Sequence, residues 1–251
     1  MLIRNILNAI KKIKYYGRVQ LFHNTLFILL IISISSCMSF YRTMSGLKHP
    51  RVETKQRINA FITNSQLNDD KLNFYFSDSI PQKYIKRIAN NIFDGQLTLF
   101  GKNGERKCYV KNETCVAEQL EVLSNSFEES VDKCKSTIDT VNFYQFNNLQ
   151  SLLSKIISPK SKQLNIYDLP KSDYYLVYYW SIFGATKNGI EADYLWMKEW
   201  VNKMDKKITI IKINCDLRND WGLKEGKKMK MLINKIGKRQ YEMKYDSLPI
   251  N

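Results

Sequence analysis

Histidine is almost missing from this sequence: there are two in 251 residues, and with His23 in the basic leader only His49 remains for the body. That shortage removes the usual base of a Ser-His or Cys-His nucleophile and the commonest metal ligand. Glycine and proline are sparse too, ten and five, and no glycine loop of the phosphate-cradling kind occurs. No two cysteines form a close-spaced dithiol, and the gaps between Cys108, Cys115 and Cys134 match no zinc module, so neither a metal nor another cofactor is expected. Only one apolar run is long enough to approach a bilayer, which excludes a multi-span membrane protein. What is present, 44% apolar, 25% charged and 12% aromatic residues, is the profile of a folded globular chain.

The net charge is +15, and five of those charges, Arg4, Lys11, Lys12, Lys14 and Arg18, fall before residue 37 with no acid among them, which leaves +10 for the rest. A basic chain attracts polyanions such as anionic lipid, but charge of this kind implies no specific nucleic-acid site. An AT-rich genome, with its abundant Lys, Ile and Asn codons, accounts for the same excess.

The cations precede the apolar stretch Leu26–Ile34, which is followed by Ser35, Ser36 and Cys37, the three-part plan of a secretion signal. The run Ile34-Ser35-Ser36-Cys37 resembles the lipobox of bacterial lipoproteins, in which the cysteine thiol takes the diacylglyceryl group. That resemblance implies lipidation at Cys37 and a membrane held as partner through acyl chains. The alternative is an uncleaved signal anchor over Thr25–Phe40. In either case the cationic flank places the body outside the cytoplasm, facing the periplasm. Residues 37–52 then read as a tether.

In the first half of the body, residues 53–135, apolar spacing predicts a helix through Ile58, Phe61, Ile62 and Leu67 and a strand over 71–76. A second helix is expected from Pro81 to Ile92 and a hairpin of 96–100 with 107–110 about Asn103-Gly104. A closing helix runs through Val116, Leu120, Leu123 and Phe127. In the second half, residues 140–251, a short strand is expected at 142–146 and a helix at 148–157. A buried strand follows over Tyr174–Trp180, then a helix carrying Leu195, Trp196, Trp200 and Met204, a parallel strand over Lys207–Asn214, and a hairpin of 228–236 with 239–244.

The order of the first half resembles the hairpin-and-helix half of the thioredoxin fold. Residues 173–244 resemble thioredoxin-like proteins more specifically: Leu176-Val177-Tyr178-Tyr179-Trp180-Ser181 looks like that family's first central strand and its Trp-Ala. Thr209 to Asp216 looks like the next strand with its terminal Asp. The resemblance implies an α/β fold, a thioredoxin-like central sheet flanked by helices, as two small α/β domains behind the N-terminal signal. It also puts Gly184 and Lys187 at the two positions where the family has its redox cysteines, and Tyr178 in the place of its buried acid. No proline precedes the strand near Lys228, where the family has its cis-proline. Disulfide exchange needs an attacking thiolate and a resolving thiol, and glycine and lysine supply neither. The implied function is non-catalytic: a membrane-anchored envelope lipoprotein with a binding or assembly role toward another envelope protein or a peptide. The chain's organisation is similar to that of lipoproteins of Bacteroidetes-type bacteria.

Other readings remain open beside it. Cys108 with Cys115 is the easiest disulfide, and Cys108, Cys115 or Cys134 could serve a redox enzyme of non-standard spacing, whereas Cys215 ends a buried strand as a small apolar thiol. Trp180 and Phe183, with Trp196 and Trp200, gather about the degenerate loop, either as core or as a peptide groove. The basic segment Lys224–Lys244 reads as the solvated face of an edge hairpin or as a contact for anionic lipid or polymer. The acid pairs Asp69-Asp70 and Glu128-Glu129 read as solvated element ends rather than glycosidase carboxylates.

Overall fold

The computed structural model describes residues 49–69, 72–77, 97–107, 116–125, 146, 148–160, 162–229, 231–235, 241–245 and 248, all within one compact unit, Gly46–Asn251. In chain order the elements are α1 (Lys55–Thr63), β1 (Asn73–Phe76), β2 (Leu97–Gly101), β3 (Arg106–Lys107), α2 (Val116–Asn125), α3 (Leu149–Leu153), β4 (Ile156–Ile157), β5 (Tyr174–Trp180), α4 (Lys187–Lys203), β6 (Ile208–Asn214), β7 (Met231–Lys235) and β8 (Tyr241–Tyr245). Single 3-10 turns lie at Gln66–Asn68, Ile166–Asp168 and Asn219–Trp221.

β5 and β6 are dense in β-branched and aromatic side chains, which suit a pleated surface packed on both faces. They pair in parallel register from Tyr174 opposite Ile208 to Trp180 opposite Asn214, and α4 makes the crossover between them. The helix starts where Thr186 accepts the Gly189 N–H with its side chain, a cap that satisfies one of the free amides of the first turn. β1 extends the sheet in parallel beyond β6, β2 pairs antiparallel with β5, and β3 and β4 form the two edges, giving the order β3-β2-β5-β6-β1-β4. The fold is therefore α/β with one mixed six-stranded sheet.

Alternate residues of the central strands face opposite layers, as a period of two requires. Leu176, Tyr178, Trp180, Ile208 and Ile210 pack with Tyr75, Leu97 and Leu99 under α1, α2 and α4. Val177, Tyr179, Ile211 and Ile213 pack with Phe74 and Phe76 under α3 and the segment from Leu217 to Met229. Each aliphatic chain so buried contributes roughly 1.5–3 kcal/mol relative to exposure.

Several expectations change. The helix expected over 148–157 stops at Leu153, where Ser154 caps it, and Ile156-Ile157 becomes β4, antiparallel to β1. Leu67 belongs to a separate 3-10 turn, not to α1. The strands of the first half, expected in a domain of their own, lie in the same sheet as β5 and β6. The C-terminal hairpin forms as expected, β7 with β8, but as a separate two-stranded sheet; the antiparallel neighbour of β5 is β2, from upstream. At the tip of β2 and β3, Gly104 has φ +83, the left-handed conformation that the Asn-Gly pair signalled. The helix expected at 81–92 and the strand at 142–145 lie outside the described residues. No helix among the described residues is long and apolar enough to cross a membrane.

Candidate functional site

In a sheet with parallel central strands, loops at the carboxyl ends of those strands are the usual place for chemistry, because helix N-termini and loop backbone converge there. Here that end is built from Ser181–Thr186, which leaves β5 for α4, and from Cys215–Arg218, which leaves β6. Asp216 joins the two. Its side chain, 1% exposed, accepts the Ile182 N–H at both carboxylate oxygens, at 3.1 and 3.0 Å, and the Asn214 amide at 2.7 Å. The Asp216 N–H returns to Asn214 Oδ1, and Cys215 N–H donates to the Trp180 carbonyl. The loop is thus held by a buried, hydrogen-bonded carboxylate that carries its own second contact to β6.

Gly184 and Lys187, which the resemblance aligns with redox cysteines, both fall at this end. Gly184 donates its N–H to Ser181 Oγ at 3.1 Å, and a Cβ at position 184 would come 2.7 Å from that hydroxyl. Lys187 is the first residue of α4, and its ammonium pairs with Glu191 one turn on, at 3.7 Å. Gly184 lies two residues ahead of the helix cap, so position 184 itself is not at the helix terminus. The segment from Ser181 to Lys187 contains no sulfur.

The aromatic residues do not assemble into an open groove. Trp180 and Phe183 are each 4% exposed, and Phe61 stacks on Trp180 with centroids 5.5 Å apart. Trp200 is buried and donates its indole N–H to Ser124 on α2. Trp196, expected beside them, points out of α4 at 47% exposure, next to Leu195. Cys215 is buried at the end of β6, its thiol 3.6 Å from the Ile213 carbonyl. Cys37, Cys108, Cys115 and Cys134 lie outside the described residues. Of the acid pairs, Asp69 forms a surface ion pair with Lys198, which holds its carboxyl below the usual range.

One titratable pair was not signalled by the sequence. Tyr178, in the place the resemblance gives to a buried acid, directs its hydroxyl to Asp193 Oδ2 on α4 at 3.3 Å. Burial pushes the Asp193 carboxyl up to about 6, and burial together with the carboxylate pushes the Tyr178 phenol well above its ordinary value.

The opposite, amino-terminal end of β5 and β6 carries a shallow hollow of about 240 Å³ between Lys102, Lys107, Asp173 and Lys206, in which Glu105 pairs with Lys107. No group of three His, Cys, Asp or Glu side chains arranged for a metal occurs among the described residues. No protein-family model, curated protein or solved structure matches the chain.

Proposed function

We propose that this chain is an envelope lipoprotein, anchored through Cys37, whose body is a thioredoxin-like scaffold that has lost dithiol chemistry and works by binding or assembly. One observation carries the reading: the loop leaving β5, where a disulfide-exchange centre would stand, is a sulfur-free turn fastened through Ile182 to the buried carboxylate of Asp216. Supporting it, the run β1-β6-β5-β2-β3 has a parallel core with an antiparallel hairpin beside β5, the arrangement that thioredoxin-like sheets share. In this chain that hairpin precedes the parallel pair in sequence, whereas in the family it follows, so the likeness is one of strand arrangement and not of connectivity. A scaffold of this kind keeps its stability without its thiols, because the buried strands and helix faces hold it together.

Two measurements test the reading. Purified protein is expected to give no insulin reduction with a dithiol; turnover abolished by Cys108→Ser would establish the competing redox enzyme. Radiolabelled palmitate is expected to enter the wild-type chain and to be lost in Cys37→Ala; incorporation that persists in the variant refutes the lipid anchor.

A further inference from the structure

The tether joins the body at a defined place. Val52 N–H donates to the Lys227 carbonyl, Gly226 N–H to the Val52 carbonyl, and Met229 N–H to the Pro50 carbonyl, while Arg51 bridges Lys228 and Glu53 bridges Arg218. The first described residues are thereby stapled to the loop that follows the Asn219–Trp221 turn. That loop is basic: Lys224, Lys227 and Lys228 are exposed, and their ammonium groups have no partner among the described residues. Of the acids close by, Glu53 is paired with Arg51 and Arg57 and Asp220 with Lys55 and Arg218, while Glu225 accepts the Asn219 amide and keeps its charge, which leaves three lysines against one carboxylate. The geometry points to this surface, Lys224, Lys227 and Lys228 around the staple to Arg51, as the face that lies against the anionic headgroups of the membrane to which the chain is anchored.

The inference rests on the anchor reading and adds an orientation to it. From Cys37 to His49 the chain spans about a dozen residues, which reach at most roughly 40 Å even when fully extended. A body held that close samples the membrane surface continually, and it meets that surface first where the tether attaches. Unpaired lysines there are drawn to phosphate-bearing headgroups, each adding to an attraction that fades within a Debye length. The occupant is a lipid surface and not a free polyanion because the tether confines the body to that surface.

The test uses the full acylated chain in vesicles of phosphatidylethanolamine and phosphatidylglycerol, with a membrane-impermeant amine-reactive reagent and mass spectrometry. Lys102 and Lys171, at the amino-terminal ends of β5 and β6 and so at the far end of the sheet, serve as internal references. Lys224, Lys227 and Lys228 are expected to label about threefold or more slowly than these references, with the difference lost in 0.5 M salt or in phosphatidylcholine vesicles. Equal labelling of all five lysines in a chain that co-sediments with the vesicles overturns the orientation and leaves the anchor standing. Failure to co-sediment overturns the anchor itself. Protection that is as strong with heparin alone, and absent on vesicles, assigns the lysines to a soluble polyanion and overturns the membrane face.

Discussion

Asp216 gives both carboxylate oxygens to the single backbone N–H of Ile182, 34 residues earlier in the chain. This contact fixes the loop after β5 to the end of β6, and it accounts for a loop that contains no cysteine yet keeps Ser181 and Phe183 buried. Asp216→Ala leaves the Ile182 N–H and the Asn214 amide without their acceptor. The expected cost is about 2–3 kcal/mol in urea unfolding. Amide exchange at Ile182 should accelerate, whereas exchange at Val177 in mid-strand should keep most of its protection. Unchanged exchange at Ile182 would show that the carboxylate does not hold the loop.

Asp193 makes stability depend on pH in the direction opposite to an ion-paired acid. Its folded pKa is raised to about 6 from 3.8, so the folded state holds a proton that the unfolded state has released between those values. Stability contributed by the protonated form is therefore full below about 4 and falls as pH rises through about 6. Asp193→Asn keeps an oxygen for the Tyr178 hydroxyl and carries no charge to bury. It is expected to be more stable than wild type by about 1–2 kcal/mol at pH 7 and equal to it near pH 4, read from thermal melts across that range.

Arg218 is almost wholly buried; its guanidinium donates to the Phe76 carbonyl at 2.7 Å and to Asp220 at 2.9 Å, and it lies 4.8 Å from the Trp221 ring. It links β1 to the loop after β6 on the side where the tether is stapled. Arg218→Met matches the volume but strips a buried carbonyl of its donor, while Asp220 keeps Lys55 at 3.1 Å. The expected loss is about 3 kcal/mol, seen as a lower urea midpoint. Arg218→Lys should recover only part of it, since an ammonium cannot span both acceptors in the guanidinium's planar geometry.

What the sequence makes legible follows the length and regularity of each pattern. β5 and β6 are seven-residue runs dense in apolar and β-branched residues, α4 keeps helical spacing over its length, and all three stand where expected. Leu152, Leu153, Ile156 and Ile157 satisfy helical spacing and a short buried strand equally well, and the outcome, a helix end followed by β4, depends on β1 offering an open edge. Which hairpin pairs with β5 is likewise a tertiary matter: residues 97–107 and 231–245 both have hairpin patterns, and only the first joins the sheet. Within the site, Gly184, Lys187 and Asp216 could be placed by position along the strands. Asp193 could not, because a lone acid on a helix looks solvated until the helix is laid on Tyr178.

Lys212 is the sharpest departure from a hydrophobic pattern, a lysine with no exposure in the middle of β6. Its ammonium donates to the Leu67 carbonyl at 2.6 Å and lies 4.5 Å from the centre of the Tyr194 ring. The same carbonyl also accepts the Asn73 amide at 2.9 Å, so it has two donors from two neighbouring strands. Removing either donor alone leaves the carbonyl satisfied; removing both buries it with none. Lys212→Met, which also removes its contact with the Tyr194 ring and its electrostatic interaction with Asp69, should cost about 1–3 kcal/mol, and Asn73→Ala about 1 kcal/mol. The double variant should lose about 1–2 kcal/mol more than the sum, the signature of two groups serving one acceptor. A double-mutant cycle by urea unfolding measures that excess directly, and strict additivity would mean that Lys212 is held in the core by the Tyr194 ring and its other neighbours, not by the turn at Leu67.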